Sequence, residues 1–133
     1  MPELNLSDHV LISIVDDDAP FRESMRRLMR SLGYTADIFP SAADFLASSR
    51  VSETSCLIAD VNMPEMTGLE LFRHLSRAGR SIPTILVTAY PRDVDRASAL
   101  NEGVLCYLAK AIDEQTLSRC LRAALAPGEP RLK

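Results

Sequence analysis

Five short apolar runs, each followed by a stretch of helical periodicity, constrain this chain to a parallel β-sheet covered by helices on both faces, an α/β doubly wound architecture. The runs are residues 9–15, 34–39, 56–59, 84–88 and 104–108. The first is nearly continuous in apolar and β-branched residues, the pattern of a central parallel strand buried on both sides. After it, Phe21, Met25, Leu28, Met29 and Leu32 recur at i, i+4, i+7, i+8 and i+11, one face of a helix. Asp18 suits the cap of that helix, Pro20 its first turn and Gly33 its end. Ser41 caps a second helix carrying Ala43, Phe45 and Leu46, and residues 51–55 form a polar connector. A third helix, over 69–78, turns Leu71, Phe72 and Leu75 inward. The last is capped by Asp113 and carries Leu117, Leu121, Ala124 and Leu125. The fourth, residues 93–102, differs: its apolar face is only Val94, Ala97 and Leu100, so it is expected to be the least firmly held.

Composition narrows the possibilities. With 133 residues and 47% hydrophobic content, the chain can bury a core as one domain, with a core at about 9–126, a short polar lead at 1–8 expected to fray, and a tail over 127–133. The net charge of -3 argues against direct nucleic-acid binding, which needs a basic face. No apolar run approaches the roughly 20 residues that span a bilayer, and no signal-peptide pattern opens the chain, so no membrane partner and a cytoplasmic location are expected. Cys56, Cys106 and Cys120 are odd in number, far apart and set in apolar segments. They read as small core hydrophobes, without a disulfide framework or zinc spacing.

All strands of a parallel sheet end on one edge, and such sheets bind ligands there. The residues delivered to that edge are Asp16 and Asp17, Asp60, Thr88 and Lys110. Singly each has a plain explanation: Asp60 ends a strand before a turn, 16–18 form a capping turn, and Lys110 is a solvated charge. Together they make an acidic pocket whose carboxylates repel unless a cation joins them, and oxygen ligands of this kind suit magnesium. Lys110 adds a mobile positive charge and Thr88 a hydroxyl donor. A pocket that binds a divalent metal and accepts a phosphoryl group on one carboxylate needs this inventory.

Ile14-Val15-Asp16-Asp17-Asp18, Asp60-Val61-Asn62-Met63-Pro64 with Gly68-Leu69-Glu70, Val87-Thr88-Ala89 and Tyr107-Leu108-Ala109-Lys110 together resemble the receiver domain of two-component response regulators. The likeness runs from about Leu11 to Ala126. Within the family, Met66-Thr67-Gly68-Leu69-Glu70-Leu71 is most similar to receivers of nitrogen-fixation-type regulators with a helix-turn-helix output. The resemblance implies a five-stranded sheet in the order 2-1-3-4-5 and makes Asp60 the phosphoryl acceptor. It further implies magnesium held by Asp17, Asp60 and the Asn62 carbonyl, with Asp16 acting through water, and phosphoryl oxygens contacted by Thr88 and Lys110. Tyr107 matches the aromatic whose ring turns inward as that hydroxyl moves. A sensor histidine kinase is the implied donor, and the face of helix 4, strand 5 and helix 5 is the implied output surface for a homodimer or a separate partner. One position departs from the family: the lysine is usually followed by proline, often through a cis bond, whereas Lys110 precedes Ala111. A non-proline cis bond costs about 2.5–4 kcal/mol, so a trans bond and a shifted loop are expected, with consequences for where Lys110 rests.

Two other functional classes compete. A phosphatase of the aspartyl-phosphate kind would use Asp16 and Asp18 as nucleophile and acid, but needs a further acidic site late in the chain and usually a cap domain, and neither is evident. A binding module that works without phosphorylation would not need every acidic position. The expectation is therefore a signalling switch that catalyses only its own phosphorylation and dephosphorylation. No space for an output domain follows Ala126, so the chain is either a stand-alone receiver or the regulatory part of a longer regulator.

Overall fold

The computed structural model describes residues 10–126. Its strands are β1 (Leu11–Val15), β2 (Thr35–Phe39), β3 (Cys56–Asp60), β4 (Thr84–Thr88) and β5 (Cys106–Ala109), and its α-helices are α1 (Ala19–Ser31), α2 (Ala42–Leu46), α3 (Gly68–Arg77), α4 (Asp93–Glu102) and α5 (Glu114–Ala124). The strands form one parallel sheet in the order β2-β1-β3-β4-β5. Side chains alternate across it with period two. Ile12, Ile14, Ile58, Ile85 and Val87 pack on one face against Met25 and Met29 of α1 and Leu117 and Leu121 of α5. Val15, Leu57, Ala59 and Leu86 pack on the other against Phe45, Leu71, Leu75 and Ala99 of α2, α3 and α4. Burial on both faces explains the nearly unbroken apolar strands.

The start signals fall where the sequence puts them: Asp18, Ser41 and Asp113 each accept a backbone N–H in the first turn of α1, α2 and α5. Thr67 and Glu70 form a reciprocal capping box on α3, a device the apolar pattern alone does not reveal. No helix among the described residues is long and apolar enough to cross a membrane.

Several expectations need correction. The connector over 51–55 is instead a 3₁₀ helix, Ser49–Glu53, that buries Val51. The fifth strand begins at Cys106 rather than at 104, and the first at Leu11; His9, the lead and the tail lie outside the described residues. On α4 the buried residue is Ala99, while Val94 is 61% exposed and Ala97 faces solvent. So few apolar residues do not specify which face a helix turns inward. Cys106 and Cys120 are joined as a disulfide, not separate core hydrophobes, because the α5 side of β5 and the inner side of α5 place them opposite each other. Their spacing in sequence carries no sign of this. Cys56 is free and buried, and burial pushes its thiol up to about 12, leaving it an inert core residue.

Candidate functional site

The site assembles where β1, β3, β4 and β5 end together. Register brings Val15 beside Ala59, Asp60 beside Val87 and Thr88 beside Ala109, so Asp16, Asp60, Thr88 and Lys110 become neighbours. Asp16 is wholly buried and Asp60 is 4% exposed, whereas Asp17 faces solvent. The Asp16 Oδ1 accepts the Asp18 N–H at 2.9 Å, and its main-chain carbonyl accepts Nη1 of Arg22 at 2.7 Å. Asp60 Oδ1 accepts the Asn62 N–H at 3.1 Å. Lys110 Nζ lies 2.9 Å from Asp16 Oδ2 and 3.6 Å from Asp60 Oδ2.

Electrostatics follow from this crowding. Burial raises the Asp60 pKa above the usual carboxylate value, the Asn62 N–H opposes that, the charges of Asp16 and Asp17 add to it and Lys110 subtracts. Lys110 is raised on balance: burial works to lower it, but the carboxylates of Asp16, Asp60 and Asp18 more than offset that.

Thr88 Oγ1 accepts from Asn62 Nδ2 at 2.9 Å and from the Tyr90 N–H at 3.0 Å. Both acceptor positions of the hydroxyl are thereby filled, which leaves its proton to donate. Tyr107 is buried under α4, where it borders a cleft of about 220 Å³ together with Asn62, Leu86, Asp95, Ser98 and Ala99. Burial, then the nearby Asp95 charge, raises its phenol pKa. Gly68 is required by closeness: a Cβ there would lie 2.5 Å from the Asp60 carbonyl oxygen.

Carboxylate oxygens of Asp16, Asp17 and Asp60 lie within 4.8 Å of one another. Asp16 Oδ2 is buried and makes no well-aligned hydrogen bond, having only the Lys110 ammonium beside it. Clustered hard oxygens, one of them under-satisfied and one open to solvent, fit a magnesium ion that keeps part of its water shell.

The described chain has no cis peptide bond, as expected for Lys110-Ala111, and Ala111 takes a left-handed φ of 66°. The lysine nevertheless reaches the pocket. Sequence reasoning did not find Phe21, whose ring lies under Lys110, or Arg22, which braces the Asp16 carbonyl. Phe21 was indistinguishable from the other apolar residues of the α1 stripe.

Comparison with known proteins fits this geometry. The family described as response regulator receiver domain matches residues 12–122. The chain belongs to that family. The receiver is 36% identical over 122 residues to the response regulator protein TodT of Pseudomonas putida, covering 91% of this chain and 54% of TodT. It is 27% identical over 122 residues to the transcriptional regulatory protein FixJ of Bradyrhizobium diazoefficiens, covering 92% of this chain and 60% of FixJ. The receiver thus spans about half the length of the curated relatives it matches first. Among solved structures, a response regulator receiver protein from Burkholderia phymatum superposes with a TM-score of 0.76 at 35% identity, over 91% of this chain and 98% of that one. The structure titled FixJ-N gives 0.78 at 26% identity, over 89% and 94%.

Proposed function

We propose that this receiver is a phosphoryl-accepting switch in two-component signalling, in which Asp60 takes phosphate from a sensor histidine kinase. The observation that carries the reading is the buried Asp60 carboxylate, tethered through Oδ1 to the Asn62 N–H and leaving Oδ2 facing the Lys110 ammonium. Oδ2 is then the attacking oxygen. It forms a bond to phosphorus as the bond from phosphorus to the donor histidine nitrogen breaks, and the electron pair stays with the imidazole. Lys110 offsets the charge brought in, and the free proton of Thr88 donates to a phosphoryl oxygen. Asp17, Asp60 and the Asn62 carbonyl would hold magnesium, with Asp16 through water. Bound there, the metal supplies charge neutralisation for the transferring group.

As the Thr88 hydroxyl shifts toward the phosphate to donate its proton, the bonds it accepts from Asn62 and the Tyr90 N–H are disturbed, and the change passes to Tyr107 and the thinly anchored α4. The α4, β5 and α5 face is therefore the output surface, for a homodimer or a separate partner. Incubation with a small phosphodonor and magnesium should give an acid-labile phosphoprotein, and Asp60→Asn should give none. Unchanged labelling of that variant would remove Asp60 from the acceptor role.

A further inference from the structure

We propose that Phe21 is a positioning residue that holds Lys110 at the phosphoryl pocket through a cation–π contact. The Lys110 Nζ stands 4.5 Å from the centroid of the Phe21 ring, well within the roughly 6 Å over which a ring face attracts an ammonium. The ring itself is fixed. Phe21 occupies the first turn of α1, its N–H is bound to the Asp18 cap, and its side chain packs on the core layer between the sheet and helices α1 and α5. Lys110 needs such a support, because a lysine is a flexible stem ending in a point charge.

The ammonium has two other neighbours, Asp16 and Asp60, and both belong to the acidic cluster suited to a cation. Carboxylates drawn toward a cation would hold the lysine less firmly. The Phe21 face carries no charge to be neutralised, so its attraction persists as the demands on the carboxylates change. With its side chain 17% exposed, Lys110 sits in surroundings where the contact is stronger than in open water. The ring therefore fixes the ammonium between α1 and Asp60 whatever the state of the carboxylates. The effect on rate rests on Asp60 being the acceptor; the effect on Lys110 position does not.

Fluorination of the Phe21 ring tests this, since successive fluorines withdraw π density with little change of shape. In the free protein, ring current should shift the Lys110 ε-methylene protons upfield, and the shift should shrink stepwise through mono-, di- and trifluorophenylalanine at position 21. Phosphorylation of Asp60 by acetyl phosphate should slow in the same order, by about three- to tenfold at the trifluoro ring, while the melting temperature falls by no more than about 2–5 °C. Phe21→Trp should keep the wild-type rate, and Phe21→Leu should match the trifluoro protein. Rates that ignore fluorination, or Lys110 protons without an upfield shift in the wild-type protein, would overturn the assignment. If the wild-type protein takes up no phosphate, the acceptor reading fails, and the shift series alone decides the position: a stepwise decline supports the contact and a flat series refutes it.

Discussion

Ala111 shows the residue scale most plainly. An L-residue in the left-handed region costs on the order of 1–2 kcal/mol, and glycine there avoids it while adding freedom to the unfolded chain. Ala111→Gly should thus stabilise the receiver by about 0.5–1 kcal/mol in denaturant melts, and a loss of that size instead would contradict the backbone placement. Asp60 gives a second case. Burial lifts its folded pKa above the unfolded value of about 3.9, so in that window the native state binds more protons than the unfolded chain. Stability contributed by this group therefore falls as pH rises from the unfolded value through the raised folded one, and remains lower at neutral pH. Asp60→Asn should raise the melting temperature at pH 7 without metal, and flatten this acid-side dependence; a lower midpoint would count against it. The acidic residues, Thr88 and Lys110 were legible because polar groups at the ends of apolar strands stand out against their surroundings. Phe21 was not, since a ring serving a cation and a ring serving the core have the same spacing on a helix.

At the scale of elements, α4 is the informative one. Its limits were readable from Gly103 and the short apolar set, but not its inward face, which rests on Ala99. What pins it lies at its far end, where Arg73 of α3 donates from Nε to Glu102 Oε1 at 2.7 Å and from Nη2 to Oε2 at 2.6 Å. The opposite end has no side-chain cap, and Tyr90 and Val94 beside it are exposed. A helix fastened at its C-terminal end and uncapped by any side chain at the end nearest Thr88 can pivot. Arg73→Ala should therefore speed amide exchange in the last turn of α4 and leave the strands unaffected, as hydrogen-exchange mass spectrometry would read. Equal exchange in both proteins would show that the pair anchors nothing. The bond between Cys106 and Cys120 was hidden for a related reason: contacts between a strand and the next helix depend on how the two pack, which spacing does not encode.

For the whole molecule, the alternation of strands and helices specified a parallel sheet, and the family resemblance supplied the strand order that the alternation leaves open. Bringing four strand ends to one edge makes the site a property of the sheet. A cation bound only by the native state adds RT ln(1 + [L]/Kd), about 2.7 kcal/mol at a hundredfold excess over Kd. Magnesium should accordingly raise the melting temperature of the wild-type receiver but not of Asp17→Asn; superimposable wild-type melts with and without the ion would indicate no assembled site. With beryllofluoride, changes in amide protection should concentrate between Thr88 and Leu108, and changes confined to α1 and α2 would contradict the output surface. The acceptor itself can be read by borohydride reduction, which converts an aspartyl phosphate to homoserine at the position that carried it. After treatment with a phosphodonor and magnesium, peptide mass spectrometry should find homoserine at position 60 alone, whereas homoserine at 16 or 17, or none in a labelled protein, would contradict the assignment of Asp60.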